Sequence, residues 1–526
     1  TVFGIPGNHT VQLYRGLAAS TLRHISPRHE QGAAFMADGY ARSSGRPAAC
    51  FLISGPGVGN AVTAMMQALA DSVPMLVISS VAARHQLGMG EGHLHDVPDQ
   101  RALMAQCTRF SHTLMRCEEL PRVLARAFSV FDSARPGPVH IEIPLDVIAA
   151  PAHESAPSLW PRVPAPAASP EAIAQLAERL QAAERPCLLA GGGAIEASSQ
   201  VLQLAEQLGA PVVTTVNGKG IVPRGHPLAA GGSPSLPSVR GLLAESDCVL
   251  AVGTEFGETD YDMLFHGDLP QLAWLARIDI DAAQLCRNVR ADLPLCGDAR
   301  ASLQLLLTAL SESASAQLRH SDRVEALRGQ VEQDPHFHPE MQRLFETLQE
   351  TLPALTLVGD STLPTYYAVW QYVCSAPRRY FHSATGGGTL GYAIPAAIGA
   401  KRALADQPVV ALIGDGAAQF TFMELASAVQ ESLPIIVLLW NNNGYSEIRD
   451  GMVASDVAPI GVDIDAPDFL AAASSLGCLS ACPKDLDALR EALREAAGQS
   501  LPTLIELRQE NFISLPAGGW YPGEDA

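Results

Sequence analysis

Two short motifs toward the C-terminal end of the chain combine residue types that bind a metal ion and phosphate. The first, Gly414–Gly416, ends an apolar run, and the second, Asn441–Asn443, ends the next apolar run along the chain. Because the carboxyl ends of parallel strands meet at one edge of a sheet, we expect Asp415 and Asn442 to lie close together. Their side-chain oxygens and a backbone carbonyl at Gly444 are hard ligands of the kind that Mg²⁺ prefers when it holds phosphate. The two motifs therefore predict a magnesium site.

The glycines of the first motif would also admit a phosphate group. Gly414 and Gly416 have no side chain, so backbone amides can approach an anion closely. A helix that we expect to begin near Phe420 would direct its positive end toward the same place. A strand-end turn with an ordinary helix cap is the alternative interpretation.

The composition describes a folded protein and disfavours several partners. Of the 526 residues, 47% are hydrophobic and 17% are charged, which is too apolar for a disordered chain. The net charge of −20 disfavours nucleic acid, because its phosphates are repelled by an acidic surface. The longest apolar stretch, 434–440, is far shorter than the roughly 18 residues that span a bilayer. We therefore expect neither a nucleic-acid partner nor a membrane span.

The cysteines indicate the compartment. Ten cysteines are scattered along the chain, and the close pair Cys478 and Cys482 lacks the second pair that would complete a zinc site. Free buried thiols are typical of a reducing environment, so we expect a cytoplasmic protein. The sequence begins at Thr1 inside an apparent strand, and we expect further residues to precede it.

Two stretches divide the chain into three pieces. Residues 151–170 are rich in proline, which interrupts regular hydrogen bonding, and residues 311–339 are polar. We interpret both as linkers. The pieces 1–150, 171–310 and 340–526 each alternate β-branched runs with helical runs, which is the pattern of a parallel sheet covered by helices on both faces. The sequence therefore predicts an α/β protein with three doubly wound parallel-sheet domains.

Apolar runs give the expected strands of these sheets. They are Ala49–Ile53, Met75–Ser79, Cys187–Ala190, Val212–Thr215, Cys248–Val252, Ala276–Ile280, Leu355–Val358, Val409–Ile413 and Ile435–Leu439. Helical patterns cover Glu30–Ala41, Gly59–Ala70 and Ser198–Leu208. Ligands of open parallel sheets bind at the carboxyl ends of strands, so chemistry is expected there.

Further motifs occur in the order that one enzyme family shows. They are FGIPG at 3–7, RHEQGAAFMADGYAR at 28–42, SGPG at 54–57, ADSVP at 70–74, GGG at 191–193, TVNGKG at 215–220, IDID at 278–281 and GGGTLGYAIP at 386–395. With the two metal-binding motifs they cover nearly the whole chain. The sequence resembles the thiamin-diphosphate-dependent enzymes that include acetolactate synthases and 2-oxo-acid decarboxylases. The resemblance implies a pyrimidine-binding domain, a central domain and a diphosphate-binding domain, in that order.

The resemblance also implies how thiamin diphosphate and Mg²⁺ are held. Glu30 would bond the pyrimidine N1′ and so promote loss of the thiazolium C2 proton; a surface glutamate at a helix start is the alternative. Leu390 would wedge beneath the bent cofactor, or be a plain core residue, and the Gly388 carbonyl would accept a bond from the 4′-amino group. Ser361 and Thr362 would bond the diphosphate. The remaining expected cofactor contacts are Gly55, Asn60, Gly414, Gly416, Ala417, Ala418 and Tyr445.

An assembly follows from the same resemblance. In the family, the cofactor lies between the first domain of one subunit and the third domain of another, so Glu30 and Asp415 would meet only across an interface. We therefore expect at least a homodimer, with a homotetramer as a common further step.

Three segments depart from acetolactate synthases. Those enzymes usually carry Gln-Glu and an arginine-rich segment where this sequence has GHLHD at 92–96 and GTEFGETDYD at 253–262. The segment GGSPS at 231–235 lacks the usual flavin-contacting pattern, so FAD is not expected. These departures favour non-oxidative decarboxylation of a 2-oxo acid over the joining of two oxo acids.

Three histidines are candidates for proton transfer. His93 and His95 lie in a loop that resembles the position of the catalytic histidines of pyruvate decarboxylase, and His9 is a third candidate. An imidazole near neutrality suits proton delivery after decarboxylation. A solvated loop pair or a metal site is the alternative for His93 and His95. Asn8, beside His9, is a candidate substrate contact.

Acidic residues mark the expected substrate pocket. Glu258, Asp260 and Asp262 follow a strand of the middle piece, and Glu447 follows the magnesium motif. Beside an anionic cofactor such carboxylates favour a cationic substrate, and a guanidinium donates two parallel bonds to one carboxylate. A solvated acidic face is the alternative interpretation. The opening FGIPGNHTVQLYRGL at 3–17 resembles the branch of the family that decarboxylates 5-guanidino-2-oxopentanoate, which is the substrate that this suggests.

Other functions remain open at this point. An acetolactate-synthase-type carboligase is the first alternative, and a benzoylformate- or branched-chain-type 2-oxo-acid decarboxylase is the second. A catalytically silent binding protein that retains the fold is the third.

Overall fold

Three parallel sheets, one in each piece of the chain, form the framework of the molecule. The computed structural model describes residues 1–151, 160–261, 269, 271–310 and 321–514. All strand pairs within the three sheets are parallel, and helices connect the strands. The prediction of three parallel-sheet α/β domains is therefore confirmed.

The first sheet has six strands in the order β2-β1-β3-β4-β6-β5. The strands are β1 (Val2–Gly4), β2 (His24–Ile25), β3 (Ala48–Leu52), β4 (Met75–Val81), β5 (Phe110–Thr113) and β6 (Pro138–Pro144). The helices are Val11–Ala18, Glu30–Ser44, Pro56–Ala70, Gln100–Ala105, Leu120–Ser133 and Leu145–Ile148, with a 3-10 turn at Cys117–Glu119. Every residue of β6 is buried, as expected for a strand that is covered on both faces.

The middle sheet has five strands in the order β11-β10-β9-β7-β8. The strands are β7 (Pro186–Ala190), β8 (Val212–Thr214), β9 (Cys248–Val252), β10 (Leu275–Asp279) and β11 (Leu293–Cys296). The helices are Pro170–Ala182, Ser198–Leu208, Pro237–Ala244, Glu258–Tyr261 and Ala299–Ala309, with 3-10 turns at Gly192–Ala197, Val216–Gly218 and Gln284–Cys286.

The third sheet has six strands in the order β13-β12-β14-β15-β17-β16. The strands are β12 (Thr356–Gly359), β13 (Tyr380–His382), β14 (Val409–Gly414), β15 (Ile436–Asn441), β16 (Leu479–Ala481) and β17 (Thr503–Arg508). The helices are Pro339–Thr351, Leu363–Gln371, Ala393–Ala403, Asp415–Thr421, Leu425–Gln430, Ser446–Ala454, Phe469–Ser475 and Leu486–Ala497, with 3-10 turns at Phe422–Glu424 and Gln509–Asn511. Because Gly414 pairs with Trp440, the two candidate metal-binding motifs leave the sheet side by side.

The first and third domains share one hydrophobic core, in which the Glu30–Ser44 helix packs along the Ala393–Ala403 helix. A Cβ at Gly39 would lie 2.0 Å from the Ala396 carbonyl oxygen, and a Cβ at Gly399 would lie 1.8 Å from the Met36 carbonyl oxygen. Only glycine at both positions permits this approach, so the two domains are fixed by backbone contact.

A buried ion network joins all three domains. Arg42 donates to Asp38 over 2.7 Å and to Asp71 over 2.5 Å, and its third contact is Asn217 of the middle domain. The Tyr392 hydroxyl of the third domain donates to Asp38. Burial raises the pKa of Asp38, which the Arg42 charge opposes. The guanidinium therefore stabilises two carboxylates that are almost inaccessible to water.

Two predicted boundaries differ from the structure. The 311–339 stretch contains a helix, Ser321–Glu332, whose Val324, Leu327 and Val331 are buried. Leu327 and Val331 belong to the core between the middle and third domains. The helix that the sequence places near Phe420 begins instead at Asp415, because Gly414 caps it directly after β14. The other strands and helices differ from the predicted ones only near their ends.

Among the residues that the structure describes, no helix is long and apolar enough to cross a membrane.

Candidate active site

Asp415, Asn442 and Gly444 come together at the carboxyl ends of β14 and β15. The Gly444 N–H donates to Asp415 Oδ2 over 2.9 Å, and the Asn442 amide nitrogen donates to Ser446 Oγ over 2.6 Å. In this orientation the Asn442 amide oxygen lies 3.0 Å from the Gly444 carbonyl oxygen and 3.2 Å from Asp415 Oδ1. Three facing acceptors repel one another unless a cation lies between them, and oxygen ligands suit Mg²⁺. The opposite amide orientation replaces this cation site with two hydrogen bonds.

Two helix N-termini lie beside these oxygens. The Asp415–Thr421 helix begins where β14 ends, and a second helix begins after Thr362, just beyond the neighbouring strand β12. The first backbone N–H groups of a helix have no acceptor within it and therefore attract an anion. Ser361, Thr362, Ala417 and Ala418 lie in or next to these first turns. The arrangement fits a diphosphate held at two helix starts.

Close packing explains the glycines of this region. A Cβ at Gly414 would lie 3.0 Å from Thr362 Oγ1, and a Cβ at Gly416 would lie 2.5 Å from Tyr445 Cε1. Four of the expected cofactor contacts are thus neighbours in space. A side chain at either glycine would close the space in front of the helix N-terminus.

Asp360, which directly follows β12, fixes the turn next to Leu390. Its fully buried carboxylate accepts N–H bonds from Ser361 (2.9 Å), Gly391 (3.2 Å) and Ala393 (2.8 Å). Burial raises the pKa of Asp360 to about 6, and the three N–H bonds oppose that rise. Leu390 precedes Gly391 and packs, half-buried, against the core of the first and third domains. The one signal in the sequence was the position of Asp360 at a strand end.

The glycine loop that carries Gly388 is held from two sides. The fully buried Gln67 of the first domain accepts bonds from the Thr389 N–H (3.3 Å) and hydroxyl (2.9 Å) through its Oε1. The Gly386 N–H donates to Thr259 Oγ1 of the middle domain over 3.5 Å. Gly388 itself has a φ of +60°, a conformation that favours glycine.

Glu30, Gly55 and Asn60 lie together in the first domain. Glu30 is the first residue of its helix, and Asn60 Nδ2 donates to Glu30 Oε2 over 2.9 Å. Gly55 has a φ of +66°, and a Cβ there would lie 2.7 Å from the His95 carbonyl oxygen. Glu30 is half-buried and Asn60 is exposed, so the carboxylate faces an open side of this domain.

Two of the three candidate histidines form a pair. The ring centroids of His9 and His95 are 5.0 Å apart at an interplanar angle of 72°, and His9 Nδ1 lies 2.9 Å from Ser54 Oγ. Burial and the nearby His95 lower the pKa of His9. The Nδ1 atom of His95 is buried without a hydrogen-bond partner. The Nε2 atom of His93 is likewise buried without a hydrogen-bond partner, and it lies 3.4 Å from a Glu91 carboxylate oxygen.

The acidic segment after β9 adjoins a cavity of about 520 Å³ between the three domains. Asp260 lines the cavity with Arg42 and Asp71, and its Oδ1 is buried without a hydrogen-bond partner. Burial, together with the charges of Asp71 and a neighbouring glutamate, raises the pKa of Asp260 to about 7. Glu258 is exposed, and Asp262 lies outside the described residues.

Glu447 and Asn8, the other two expected substrate contacts, occupy different surroundings. Glu447 lies in the first turn of the Ser446–Ala454 helix, and burial raises its pKa while a hydrogen bond from the Tyr366 hydroxyl lowers it. Tyr366 also bonds Ser361, so it links Glu447 to the candidate diphosphate site; nothing in the local sequence signalled this residue. Asn8 is exposed beside His9.

The candidate residues thus form two groups within the chain. The contacts of Glu30 lie in the first domain, and those of Asp415 lie in the third. Across the described part of the chain, no group of three or more His, Cys, Asp and Glu side chains could hold a metal ion. This finding gives no support to the metal-site alternative for the histidine loop.

Family models match each of the three domains of this chain. The N-terminal TPP binding domain of thiamine pyrophosphate enzymes matches residues 1–103, the central domain matches 173–306, and the C-terminal TPP binding domain matches 363–507. The chain belongs to the thiamine pyrophosphate enzyme family. It is therefore an enzyme that uses thiamin diphosphate, and Mg²⁺ is the usual partner metal of the family.

Individual relatives cover almost the whole chain. The probable 2-ketoarginine decarboxylase AruI of Pseudomonas aeruginosa is 46% identical over 97% of this chain and 91% of its own. The probable acetolactate synthase large subunit of Methanocaldococcus jannaschii is 32% identical over 98% of this chain and 90% of its own. The acetolactate synthase large subunit of Corynebacterium glutamicum is 33% identical over 91% of this chain and 79% of its own.

Proposed function

We propose that this protein is a thiamin-diphosphate-dependent carboxy-lyase that removes CO₂ from 5-guanidino-2-oxopentanoate (2-ketoarginine). The observation that carries the proposal is the 46% identity to the probable 2-ketoarginine decarboxylase, against 32% and 33% to two acetolactate synthases. Bound thiamin diphosphate supplies the nucleophilic carbon that adds to the 2-oxo group and takes up the electrons that CO₂ leaves behind. The residues of this chain bind the cofactor, exchange protons with it and select the substrate.

In this proposal, the third domain binds the metal ion and the diphosphate. Asp415, Asn442 and the Gly444 carbonyl hold Mg²⁺, as their converging oxygens support. The helix starts next to Thr362 and Asp415 bind the diphosphate through backbone N–H groups. The remaining contacts of this group are Ser361, Gly414, Gly416, Ala417, Ala418 and Tyr445.

Activation of the cofactor falls to Glu30. Asn60 holds Oε2 of its carboxylate, which leaves Oε1 free to exchange a proton with the pyrimidine ring. Leu390 and the Gly388 carbonyl, which Asp360 and Gln67 hold in place, shape the other side of the cofactor. Gly55 completes the first-domain side of this site.

Proton delivery to the product falls to His95, with His9 as its neighbour. The buried Nδ1 of His95 has no partner in the protein and can therefore serve a bound reactant. Burial lowers the pKa of His9, which favours its neutral form beside the His95 ring. His93 contributes less, because its ring faces Glu91.

Carboxylates next to the glycine loop at 386–388 and to the Asn442 turn select the substrate in this proposal. Asp260 follows Thr259, which bonds the glycine loop, and Glu447 follows Ser446, which bonds the metal ligand Asn442. The guanidinium of the substrate would donate parallel N–H bonds to one of these carboxylates. Glu258, Asp262 and Asn8 are further candidate contacts of the substrate.

We also propose a homodimer with the active sites at its interface, and a homotetramer as a further association. Large apolar side chains are exposed on helices and turns that carry or adjoin candidate site residues, and exposed apolar surface is typical of protein interfaces. They are Met66, Phe420, Met423, Ile448 and Val453. A cytoplasmic location is supported by the ten cysteines, all of which are free thiols.

Mixed subunits test this assembly. At a thiamin diphosphate concentration below saturation, Glu30→Gln and Asp415→Ala subunits are each expected to have little activity, but a heterodimer of the two would contain one site with intact Glu30 and intact Asp415. Mixing after subunit exchange should therefore restore activity. A mixture that stays inactive, although heterodimers are detected by mass spectrometry, would show that the site is built within one chain.

Product identification tests the proposed reaction. The enzyme, loaded with thiamin diphosphate and Mg²⁺, is incubated with 2-ketoarginine or with pyruvate, and CO₂ and the organic product are identified. Release of 4-guanidinobutanal with equimolar CO₂ supports the proposal. Formation of acetolactate from pyruvate, without turnover of 2-ketoarginine, would favour a carboligase instead.

A further inference from the structure

A buried carboxylate of the third domain holds the start of the Glu30 helix. Glu424 ends the 3-10 turn Phe422–Glu424 and is 1% exposed. Both its oxygens lie 3.0 Å from the Arg28 backbone nitrogen, which donates to them, and Oε1 also accepts the His29 N–H over 3.0 Å. Ser427 Oγ donates to Oε2 over 3.0 Å. The carboxylate is thus bound by the two backbone N–H groups that directly precede Glu30.

The hydrogen bonds from Arg28 and His29 to Glu424 satisfy backbone groups at the start of the Glu30 helix. Backbone N–H groups at a helix start have no acceptor within the helix, and a negative charge there is favourable. Glu424 supplies both the acceptor and the charge from another domain. The Arg28 side chain adds contacts to the same region, because it donates to the Ala426 carbonyl (3.3 Å) and to Gln430 Oε1 (2.9 Å).

Space for Glu424 depends on a glycine inside the helix. A Cβ at Gly32 would lie 2.2 Å from Glu424 Oε1 and 2.6 Å from its Cδ. Gly32 lies in the first turn of the helix, where the Cβ of any other residue would displace the Glu424 carboxylate. Both the packing at Gly32 and the hydrogen bonds to Arg28 and His29 therefore place the Glu424 carboxylate against the first turn of the helix.

We propose that Glu424 is a positioning residue for Glu30, fixing the place of the Glu30 carboxylate through the backbone of Arg28 and His29. This inference rests on the proposed role of Glu30 in the reaction. The turn that carries Glu424 directly follows the Asp415–Thr421 helix. One continuous segment of the third domain thus begins at a candidate metal ligand and ends at the support of the candidate proton-exchanging carboxylate.

A double-mutant cycle separates positioning from general stabilisation. Glu424→Gln keeps the size of the side chain, but its amide nitrogen is a donor and therefore cannot accept a bond from a backbone N–H. We expect it to lower kcat roughly tenfold to a hundredfold, with little change in the affinity for thiamin diphosphate and Mg²⁺. In a Glu30→Gln enzyme the same substitution should have little further effect on kcat, since residues that act through one group are not additive.

Gly32→Ala is a second variant, in which Glu424 keeps its negative charge but the added Cβ displaces its carboxylate. We expect a loss of kcat similar to that of Glu424→Gln. Its matched control is Gly241→Ala, because a Cβ at Gly241, also within a helix, meets no atom within 4 Å. Melting temperatures of all variants are measured in parallel, so that unfolding is not taken for loss of turnover.

The outcomes distinguish the inference from the proposed function. Equal losses of kcat from Glu424→Gln in the wild-type and Glu30→Gln enzymes would overturn the positioning role alone. Full turnover by the Glu30→Gln enzyme would overturn the assignment of Glu30 and the inference with it. Unchanged kcat in both Glu424→Gln and Gly32→Ala would likewise contradict the inference, whatever their melting temperatures.

Discussion

Replacing Asp260 by asparagine removes one charge from the wall of the cavity between the domains. The carboxylate is surrounded by charges of both signs. Burial is the main cause that raises its pKa, and the negative charges of Asp71 and Glu255 raise it further. Arg42 also lines the cavity, and Arg135 forms an ion pair with Glu255 over 2.9 Å. Because Oδ1 has no partner, it can accept a bond from a cationic substrate. We therefore expect Asp260→Asn to affect a guanidino acid and to leave pyruvate unaffected.

The magnitude follows from the bond and the pKa. A lost charge-assisted bond is worth about 1.5–3 kcal/mol, or roughly tenfold to a hundredfold in kcat/KM. Since the pKa of Asp260 is about 7, only about half of the enzyme carries the charge at pH 7. Below that pH, kcat/KM for 2-ketoarginine should fall about tenfold per pH unit relative to pyruvate. Asp260→Asn should abolish this difference between the substrates.

Asp260→Asn should increase the folding stability of the protein, although it lowers kcat/KM for 2-ketoarginine. The folded-state pKa of Asp260 is raised from 3.8 to about 7, so the ionised carboxylate costs on the order of 4 kcal/mol when fully charged. That cost is complete above pH 7 and disappears as the pH falls below 3.8, where the group is protonated in both states. Asp260→Asn should therefore raise the melting temperature at pH 8 and have little effect at pH 4.

Steady-state kinetics from pH 6 to 8 with both substrates, and melting curves at pH 4 and 8, measure these effects. Glu245→Gln, which neutralises an exposed carboxylate of the same domain, is the control. If Asp260→Asn reduced turnover of both substrates equally, the residue would act on the cofactor loops and not on the guanidinium. If neither substrate responded, the cavity would have no part in substrate binding.

Three further predictions concern other parts of the molecule. Asp415→Ala should weaken thiamin diphosphate binding at least tenfold in a fluorescence titration, with kcat recovering at saturation; unchanged affinity would contradict the metal site. His95→Gln should lower kcat about 10²–10⁴-fold and His93→Gln should change it little, so equal losses in single-turnover assays would refute the assignment. Arg42→Met should cost about 3–5 kcal/mol in urea unfolding, because two buried carboxylates lose their cation. The exposed Arg84→Met should cost under about 1 kcal/mol, and similar costs for both would contradict the buried network.

The sheets, and the meeting of Asp415 and Asn442 at one sheet edge, could be predicted because their signals are local. Buried parallel strands are continuous apolar runs, and the polar residues that end them, such as Asp415 and Asn442, must meet at one edge. The start of the Asp415 helix was misplaced because Gly414 and Gly416 resemble a loop in the sequence. The Ser321–Glu332 helix was missed because charged residues mask the single apolar face of Val324, Leu327 and Val331.

The supports of the candidate site could not be predicted in the same way. Glu424 bonds Arg28, and Gln67 bonds Thr389, across hundreds of residues of chain. Such pairs leave no periodic pattern, and each residue alone reads as an ordinary helical position. Asp360 gave only its position at a strand end, which does not show that its carboxylate holds the turn next to Leu390.

The most direct test of the proposed function is a product assay on enzyme with and without its cofactor. Protein stripped of thiamin diphosphate and Mg²⁺ is reconstituted with both and given 2-ketoarginine, and CO₂ and 4-guanidinobutanal are quantified by mass spectrometry. We expect equimolar release by the reconstituted wild-type enzyme, and almost none by the stripped enzyme or by reconstituted Glu30→Gln. Turnover by the stripped protein, or no 4-guanidinobutanal from an enzyme shown to hold both cofactor and metal, would contradict the account.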